Sequence, residues 1–159
     1  MFLSSILHTR LFDPIRKLAW HMVKPWIRRT FPEVRQISTA ALAQQLTQEA
    51  PVLIDARQPE EYAVSHLPEA KRAQTVAAVE EMNIDKSQPM VVYCSIGYRS
   101  SRLAQQLEAV GYSVANLEGS LFQWANEDRP LVKANHRTHQ VHPYGPLWGL
   151  LLNSRSQKP

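Results

Sequence analysis

Short apolar runs alternate with helical patterns over residues 36–134, and few folds accommodate this order. The runs Val52–Asp55, Met90–Tyr93 and Val114–Leu117 have the length and composition of buried strands. Between them, segments such as 99–110 carry apolar residues at helical spacing. Parallel neighbouring strands need a helical crossover, so this order predicts an α/β fold with a central parallel β-sheet flanked by helices on both faces.

Proline and capping residues indicate the remaining elements of the central segment. These are an extended piece over Gln36–Ser38, a helix capped by Ser38 or Thr39, a helix beginning at Pro59, a strand near Ala70–Ala73, a helix around Val76–Met82 and a helix over Leu121–Ala125.

Charge divides the chain into three parts. The formal net charge is +4, but residues 36–134 are acidic whereas both ends are basic. We therefore predict a basic amphipathic N-terminal extension over residues 1–33, a domain over residues 34–134, and a C-terminal extension and tail over residues 135–159. Because the basic excess lies on the flanks, we expect no nucleic-acid contact by the central domain.

Cys94 is the only cysteine. Intramolecular disulfides and multi-thiolate metal sites are therefore excluded, and a reducing compartment, the cytoplasm, is expected. No apolar run approaches the roughly 18 residues that a membrane-spanning helix needs. His8 and Arg10 interrupt the early apolar stretch, so we expect no cleaved signal peptide.

The loop after the strand Met90–Tyr93 is the candidate site of chemistry. Cys94 lies between this strand and a helix, where backbone N–H groups converge and the helix start adds positive charge. Both effects favour the thiolate and lower the pKa of the thiol. Arg99 adds a fixed cation, and Gly97 supplies the freedom that a sharp turn needs. The alternative is a buried structural cysteine.

Two motifs together resemble the rhodanese family of sulfurtransferase domains over about residues 34–134. They are Asp55-Ala56-Arg57 with Glu61-Tyr62 and His66-Leu67-Pro68, and the loop Cys94-Ser95-Ile96-Gly97-Tyr98-Arg99-Ser100. Leu117-Glu118-Gly119 and Trp124 resemble the end of the family's last strand and a following tryptophan. The sequence departs from the pattern where Ser65, Glu69 and Ser120 stand at common glycine positions.

The resemblance implies sulfur transfer without a cofactor. Cys94 would take a sulfane sulfur from thiosulfate or a similar donor as a persulfide, and an external thiol or cyanide would remove it. The implied substrate-binding residues are Ser95, Ile96, Gly97, Tyr98, Arg99 and Ser100. Cysteine phosphatases need five residues between cysteine and arginine, whereas this loop has four. The other class that we consider is a non-catalytic interaction module localised by its flanks.

Several polar residues near this loop have two interpretations. Asp55, Arg57 and Glu61 either tune charge near the pocket or form a buried network that supports the loop, which we favour. His66 is interpreted as a turn residue. Tyr98 either lines the entrance or packs on the surface.

Three histidines in the C-terminal extension recur at every third position. They are His136, His139 and His142. No regular helix aligns them and no acidic or thiolate ligand lies nearby in sequence, so we predict a loop and no metal site.

The N-terminal segment 11–29 has the pattern of a basic amphipathic helix. Its apolar stripe comprises Leu11, Ile15, Leu18, Met22 and Trp26. We expect Asp13 to cap this helix and the helix to bend or end before Pro25. The stripe could lie on an anionic membrane surface, pack on the domain or contact a second copy; packing on protein is favoured.

The C-terminal segment 144–152 is apolar but short. We expect it to dock on the domain or on the N-terminal helix, with a frayed tail over Ser154–Pro159.

Overall fold

The computed structural model describes residues 3–153 and Ser156, with side chains from Pro14 onward. Its centre is a parallel sheet of five strands in the order β1-β5-β4-β2-β3. The strands are β1 (Gln36–Ile37), β2 (Val52–Asp55), β3 (Lys71–Arg72), β4 (Met90–Tyr93) and β5 (Val114–Leu117). The helices are α1 (Leu3–Thr30), α2 (Thr39–Gln45), α3 (Pro59–Val64), α4 (Val76–Glu80), α5 (Tyr98–Ala109), α6 (Ser120–Asn126) and α7 (Pro146–Gly149).

Both faces of the sheet are buried. Leu53 and Val91 point into a cluster that includes side chains of α2 and α6. Their chain neighbours Ile54 and Val92 point into a second cluster with α4, α5 and the end of α1. Successive side chains of a strand face opposite sides, so β2 and β4 must be apolar at nearly every position. The predicted α/β fold, with a parallel sheet covered on both faces, is confirmed.

The predicted capping positions of α2 and α3 are also confirmed. The Ser38 hydroxyl accepts the N–H of Ala41 at 3.1 Å, which satisfies a free donor at the start of α2. Pro59 occupies the first turn of α3, where its missing N–H costs nothing.

Helix α1 is longer than predicted. Asp13 lies inside the helix and does not cap it, and neither Pro14 nor Pro25 ends it. A proline in a helix removes one backbone hydrogen bond. Beyond Pro25, however, Ile27 and Phe31 are buried in the core, and this packing holds the last turn of α1 in place.

The face of α1 that packs on the domain is also not the predicted one. Val23 and Ile27 contact the core, whereas Ile15, Leu18 and Met22 are between 62% and 67% exposed. The reason is that α1 carries a second apolar stripe on a different side of the helix. Val23 and Ile27 belong to this second stripe together with Ala19 and Trp20, and it is the one that packs on the domain. The packing expected for the predicted stripe is therefore wrong for Ile15, Leu18 and Met22. Trp26, the last member of that stripe, does stack on Tyr98 of α5, and the side chain of Leu11 lies outside the described residues.

The C-terminal extension contains a hairpin that the sequence analysis did not predict. Strands β6 (Leu131–Lys133) and β7 (His136–Thr138) pair antiparallel, and the proposed boundary between residues 134 and 135 falls in their turn. His136 thus lies in a strand, where a loop was expected, because the chain reverses at Ala134 and Asn135 with positive φ angles.

The segment after the hairpin docks on the domain, as expected. Leu151 and Leu152 are buried in the core beside the side chains of α6. Ser156 is also buried, and its carbonyl accepts the N–H of Val141 at 2.7 Å. The expectation of a frayed tail is therefore wrong for this residue. Residues 154, 155 and 157–159 of the expected frayed tail lie outside the described residues.

Within the described residues, no helix is both long enough and apolar enough to cross a membrane.

Candidate active site

Cys94 is the first residue after β4, and its thiol points back toward the start of α5. The backbone N–H of Gly97 donates to Sγ at 3.2 Å. Gly97 has a φ of 112°, a conformation that a side chain would strain, and a Cβ here would approach the Asn116 amide and the Ile27 side chain. The glycine therefore permits the turn that aims its own N–H at the sulfur.

The environment of Cys94 favours its thiolate. Burial raises the pKa of the thiol, but the positive charge of Arg99 and the backbone N–H groups of Ser100 and Gly97 outweigh it, so that the pKa lies below its ordinary value. The Ser100 hydroxyl donates its single proton to Oδ1 of Asn116 at 2.5 Å. We therefore assign the hydrogen bonds at Sγ to the backbone groups and not to this hydroxyl.

Arg99 is held by a carboxylate from α3. Both terminal nitrogens of its guanidinium donate to Glu61, at 2.7 and 2.8 Å. The Ser95 hydroxyl completes the arrangement, since it donates to Glu61 at 3.0 Å and accepts from Arg99 at 2.9 Å. Burial raises the pKa of Glu61, but the bonds from Arg99 and from the N–H of Gln58 lower it further than burial raises it. Glu61 thus fixes the loop through two of its residues.

Asp55 and Arg57 form a separate, fully buried ion pair. The Arg57 Nε lies 2.9 Å from one Asp55 carboxylate oxygen, and Nη2 lies 2.7 Å from the other. Nη2 also donates to the carbonyl of Ser65 at 2.5 Å. The pair therefore ties the end of β2 to the chain after α3, whereas Glu61 is the member of the predicted trio that contacts the Cys94 loop.

The start of α6 supports the loop backbone. The Ser120 hydroxyl accepts the N–H of Cys94 at 3.1 Å, and the N–H groups of Leu121 and Phe122 donate to the carbonyls of Cys94 and Ser95. From the sequence, Ser120 was noted only as a departure from a common glycine position. Its hydroxyl was the available signal, because a serine next to a tight turn can satisfy a backbone donor.

A cavity of about 160 Å³ gives access to the loop. It is lined by Trp26, Cys94, Ser95, Ile96, Tyr98, Arg99, Tyr144 and Trp148. The loop residues in its wall were predicted, whereas the three aromatic residues from the flanks were not assigned to the site. In the sequence, only their aromatic character pointed to the site, because aromatic side chains often line ligand pockets.

Aromatic rings hold the two flanks against the entrance. Tyr98 stacks on Trp26 of α1 with ring centres 5.1 Å apart, and it meets Phe31 edge-on. From the other flank, Tyr144 lies 4.4 Å from the Arg99 guanidinium carbon in a cation–π contact. Tyr98 thus both lines the entrance and packs against a neighbouring element.

The remaining candidates lie outside the cavity. His66 stacks on Tyr62 and forms an antiparallel backbone bridge with Val132 of β6. Its interpretation as a turn residue is therefore wrong, because the backbone of His66 pairs with β6 and the turn follows at Pro68 and Glu69. No group of three histidine, cysteine or acidic residues could hold a metal ion among residues 14–153 and Ser156.

Comparison with known proteins places this geometry in a family. The family model of the Rhodanese-like domain matches residues 38–127. The chain belongs to the rhodanese-like domain family. The resemblance of its two motifs to that family is thereby confirmed, and Cys94 and its loop lie inside the matched range.

Curated relatives of this rhodanese-like protein include named sulfurtransferases. The chain is 32% identical to a sulfurtransferase of Allochromatium vinosum over 102 residues, which are 62% of this chain and 95% of that protein. It is 29% identical to an adenylyltransferase and sulfurtransferase of Ogataea parapolymorpha over 52% of this chain and 22% of that protein. The relatives therefore support membership of a sulfurtransferase family.

Solved structures share the fold. A rhodanese-like domain protein of Staphylococcus aureus aligns with a TM-score of 0.52 at 30% identity, covering 57% of this chain and 91% of that chain. A thiosulfate sulfurtransferase of Pseudomonas aeruginosa aligns with a TM-score of 0.61 at 22% identity, covering 70% and 22%. The family model ends at residue 127 and begins at residue 38, so α1 and the C-terminal segment around the cavity entrance lie outside the range that it matches.

Proposed function

We propose that this protein is a sulfurtransferase that carries a sulfane sulfur on Cys94 as a persulfide. The observation that carries the proposal is the hydrogen bond from the Gly97 N–H to Sγ in a loop whose charge and backbone lower the pKa of the thiol. A sulfur transfer begins with a thiolate, and its product on the enzyme is again an anion beside the same N–H groups.

The first step loads the sulfur. The Cys94 thiolate attacks the outer sulfur of thiosulfate, a new S–S bond forms on Cys94, and sulfite leaves with the electron pair of the broken S–S bond. The negative charge stays on the terminal sulfur of the persulfide. Backbone N–H donors around Cys94 stabilise this charge without moving, since the loop is fixed by Glu61 and Ser120.

The second step needs an acceptor from outside the chain. Cyanide attacks the terminal sulfur and leaves as thiocyanate, or a thiol takes the sulfur as its own persulfide, and the Cys94 thiolate is restored. Since Cys94 is the only cysteine, the chain cannot release the sulfur by forming an internal disulfide. The acceptor therefore completes each turnover.

The pairing of Arg99 supports sulfur transfer over phosphate chemistry. A cysteine phosphatase needs its loop arginine free to bind two oxygens of a phosphate. In this chain the guanidinium fork is directed at the Glu61 carboxylate, and only four residues separate Cys94 from Arg99. A single sulfur atom can be bound by a shorter loop than a tetrahedral oxyanion needs, and it does not require a free arginine.

The setting that we propose is the cytoplasm, where a lone thiol stays reduced and available. The membrane contact expected for residues 11–29 also stays a proposal, supported by the exposed apolar side chains of α1.

The alternative function is a non-catalytic interaction module. If the protein were such a module, it would fold normally but would not take up sulfur on Cys94.

Mass spectrometry after incubation with thiosulfate tests the proposal. We expect the mass of one added sulfur on the wild-type chain, located on the peptide that contains Cys94, and thiocyanate formation when cyanide follows. Cys94→Ser should lose both while keeping its circular dichroism spectrum, because the buried loop is held by hydrogen bonds that do not involve the thiol.

A matched control separates the site from mere possession of a thiol. Cys94→Ser combined with Ser113→Cys places the single thiol at an exposed position before β5. This variant should not load sulfur from thiosulfate. If wild type stays unmodified with every sulfane donor, the interaction module is the better description; equal loading of the control would refute the role of the loop.

A further inference from the structure

Six large apolar side chains project into solvent from the two segments that flank the Cys94 cavity. They are Ile15, Leu18, Met22 and Trp26 of α1, with Leu147 and Leu150 of the segment around α7. Five of the six are between 59% and 72% exposed. Single exposed apolar residues are common on soluble proteins, but a contiguous set of this size marks a binding surface.

The six residues belong to one surface because the cavity joins the two segments. Residues three and four apart share a helix face, so Trp26 lies on the same side of α1 as Met22 and Leu18. Trp26 lines the cavity together with Tyr144 and Trp148, the latter flanked by Leu147 and close in sequence to Leu150. A hydrogen bond from Arg16 to the carbonyl of Leu150 also joins α1 to this segment. We call the six residues the apolar rim.

Positive charge borders the apolar rim. Residues 14–32 carry five basic side chains and no acidic one. Lys17, Arg28 and Arg29 are exposed, and a second, shallow cavity of about 510 Å³ beside α1 is lined in part by Lys24, Arg28 and Arg29. The surface around the rim therefore suits an anionic partner, although Glu118 pairs with Arg28 at 2.6 Å.

We infer that the apolar rim docks on the surface of an anionic phospholipid bilayer. Apolar side chains on one side of a helix with basic side chains beside them are the pattern of helices that lie in the membrane interface. The side chains stand out from a helix, a shape that enters the boundary between headgroups and acyl chains. A second copy of this chain is disfavoured, because a symmetric contact would oppose two surfaces that are both positively charged.

Docking of the rim would bring the opening of the Cys94 cavity to the bilayer. Trp26 belongs to the rim and also lines the cavity, and its ring stacks on Tyr98 of the active-site loop. The inference rests on the proposed function only here: if Cys94 transfers sulfur, it does so at the membrane surface, where an apolar thiol would reach it. The binding itself does not depend on catalysis.

Vesicle co-sedimentation of the full chain tests the binding. We expect binding to vesicles of phosphatidylcholine and phosphatidylglycerol, and little binding to phosphatidylcholine alone. Leu18→Gln with Met22→Gln should weaken the affinity at least tenfold, since both side chains are available to enter the interface. Lys17→Gln and Arg29→Gln should each weaken it about fivefold at low salt, the effect of one basic residue near an anionic surface.

Val110→Gln is the matched control, because Val110 is an exposed apolar residue at the end of α5. It should bind as wild type does. Cys94→Ser should also bind normally, which separates this inference from the proposed function. Absence of binding to anionic vesicles, or equal binding by the Leu18→Gln/Met22→Gln variant, would overturn the inference.

A second readout distinguishes bilayer docking from other partners. Brominated acyl chains should quench part of the tryptophan fluorescence, and Trp26→Phe should remove that part. Vesicle binding should also slow alkylation of Cys94 by a sulfonated maleimide that stays in water. Concentration-dependent dimers that Leu18→Gln/Met22→Gln abolishes would assign the rim to a second copy instead. Selective capture of an acidic protein by the rim, without bilayer binding, would likewise overturn the proposal.

Discussion

Arg99 serves the Cys94 loop in two ways. Its hydrogen-bonding fork binds Glu61, so the side chain is fixed and the buried carboxylate is neutralised. Its positive charge nevertheless acts on the sulfur and is the largest influence that lowers the pKa of Cys94. A hydrogen bond requires direct contact, whereas a charge acts at a distance, and so one residue can do both.

Replacement of Arg99 should therefore raise the pKa of Cys94. Between its lowered pKa and the ordinary thiol pKa, the wild-type sulfur is mostly ionised, whereas Arg99→Gln should lose thiolate over this pH range. The measurement is the rate of alkylation by iodoacetamide as a function of pH. Arg99→Lys keeps the charge and should keep most of the shift, although it loses the two-point contact with Glu61.

Arg35→Gln provides the control, since Arg35 is an exposed arginine outside the loop. It should follow the wild-type curve. An Arg99→Gln protein that still folds and titrates as wild type does would show that the charge of Arg99 does not lower the pKa of Cys94.

The sequence was sufficient to predict the loop itself but not all that surrounds it. Cys94, Gly97 and Arg99 are close in sequence, and their relation follows from one strand, one turn and one helix start. Trp26 and Tyr144 reach the same cavity from opposite ends of the chain. Their positions depend on how α1 and the C-terminal segment pack, which local patterns do not determine.

At the scale of elements, α1 carries two apolar stripes of which only one can face the domain. Periodicity identifies both as apolar but does not choose between them. The burial of Ile27 and Phe31 decides the choice, since these residues enter the cluster beneath β4 and α5. Lys17, on the basic side of α1, is then exposed to solvent. Leu18 and Met22 of the predicted stripe are exposed as well.

Two alanine variants test which stripe of α1 is structural. Ile27→Ala should lower the free energy of unfolding by roughly 2–4 kcal/mol, because it leaves a cavity in the core. Leu18→Ala should change it by no more than about 0.5 kcal/mol, because Leu18 is 64% exposed. Urea denaturation at one pH measures both. The reverse order of the two effects would mean that α1 packs by the stripe that the sequence first suggested.

For the whole molecule, acid is the condition that should loosen the site and the domain together. Glu61 joins α3 to the Cys94 loop. Glu127 joins the end of α6 to Thr39 of α2 at 2.8 Å. For both, burial raises the pKa, but bonds to arginine and to other donors lower it below its ordinary value. Each carboxylate is thus bound more favourably as an anion in the folded chain than in the unfolded one.

Stability should therefore fall as the pH drops through the acidic range. A carboxyl with a lowered folded pKa contributes its full stability above the unfolded value, about 4.3 for glutamate, and loses it as the pH falls through the folded value. We expect the free energy of unfolding to decline below about pH 5, with a smaller decline in Glu61→Gln, which has no charge to lose. Exposed Glu49, changed to Gln, is the control and should keep the wild-type slope. Since Glu61 also holds Arg99, acid should release the active-site loop as it weakens the fold. If the free energy of unfolding of Glu61→Gln fell with pH as steeply as that of wild type, the release of the loop would be separate from the weakening of the fold.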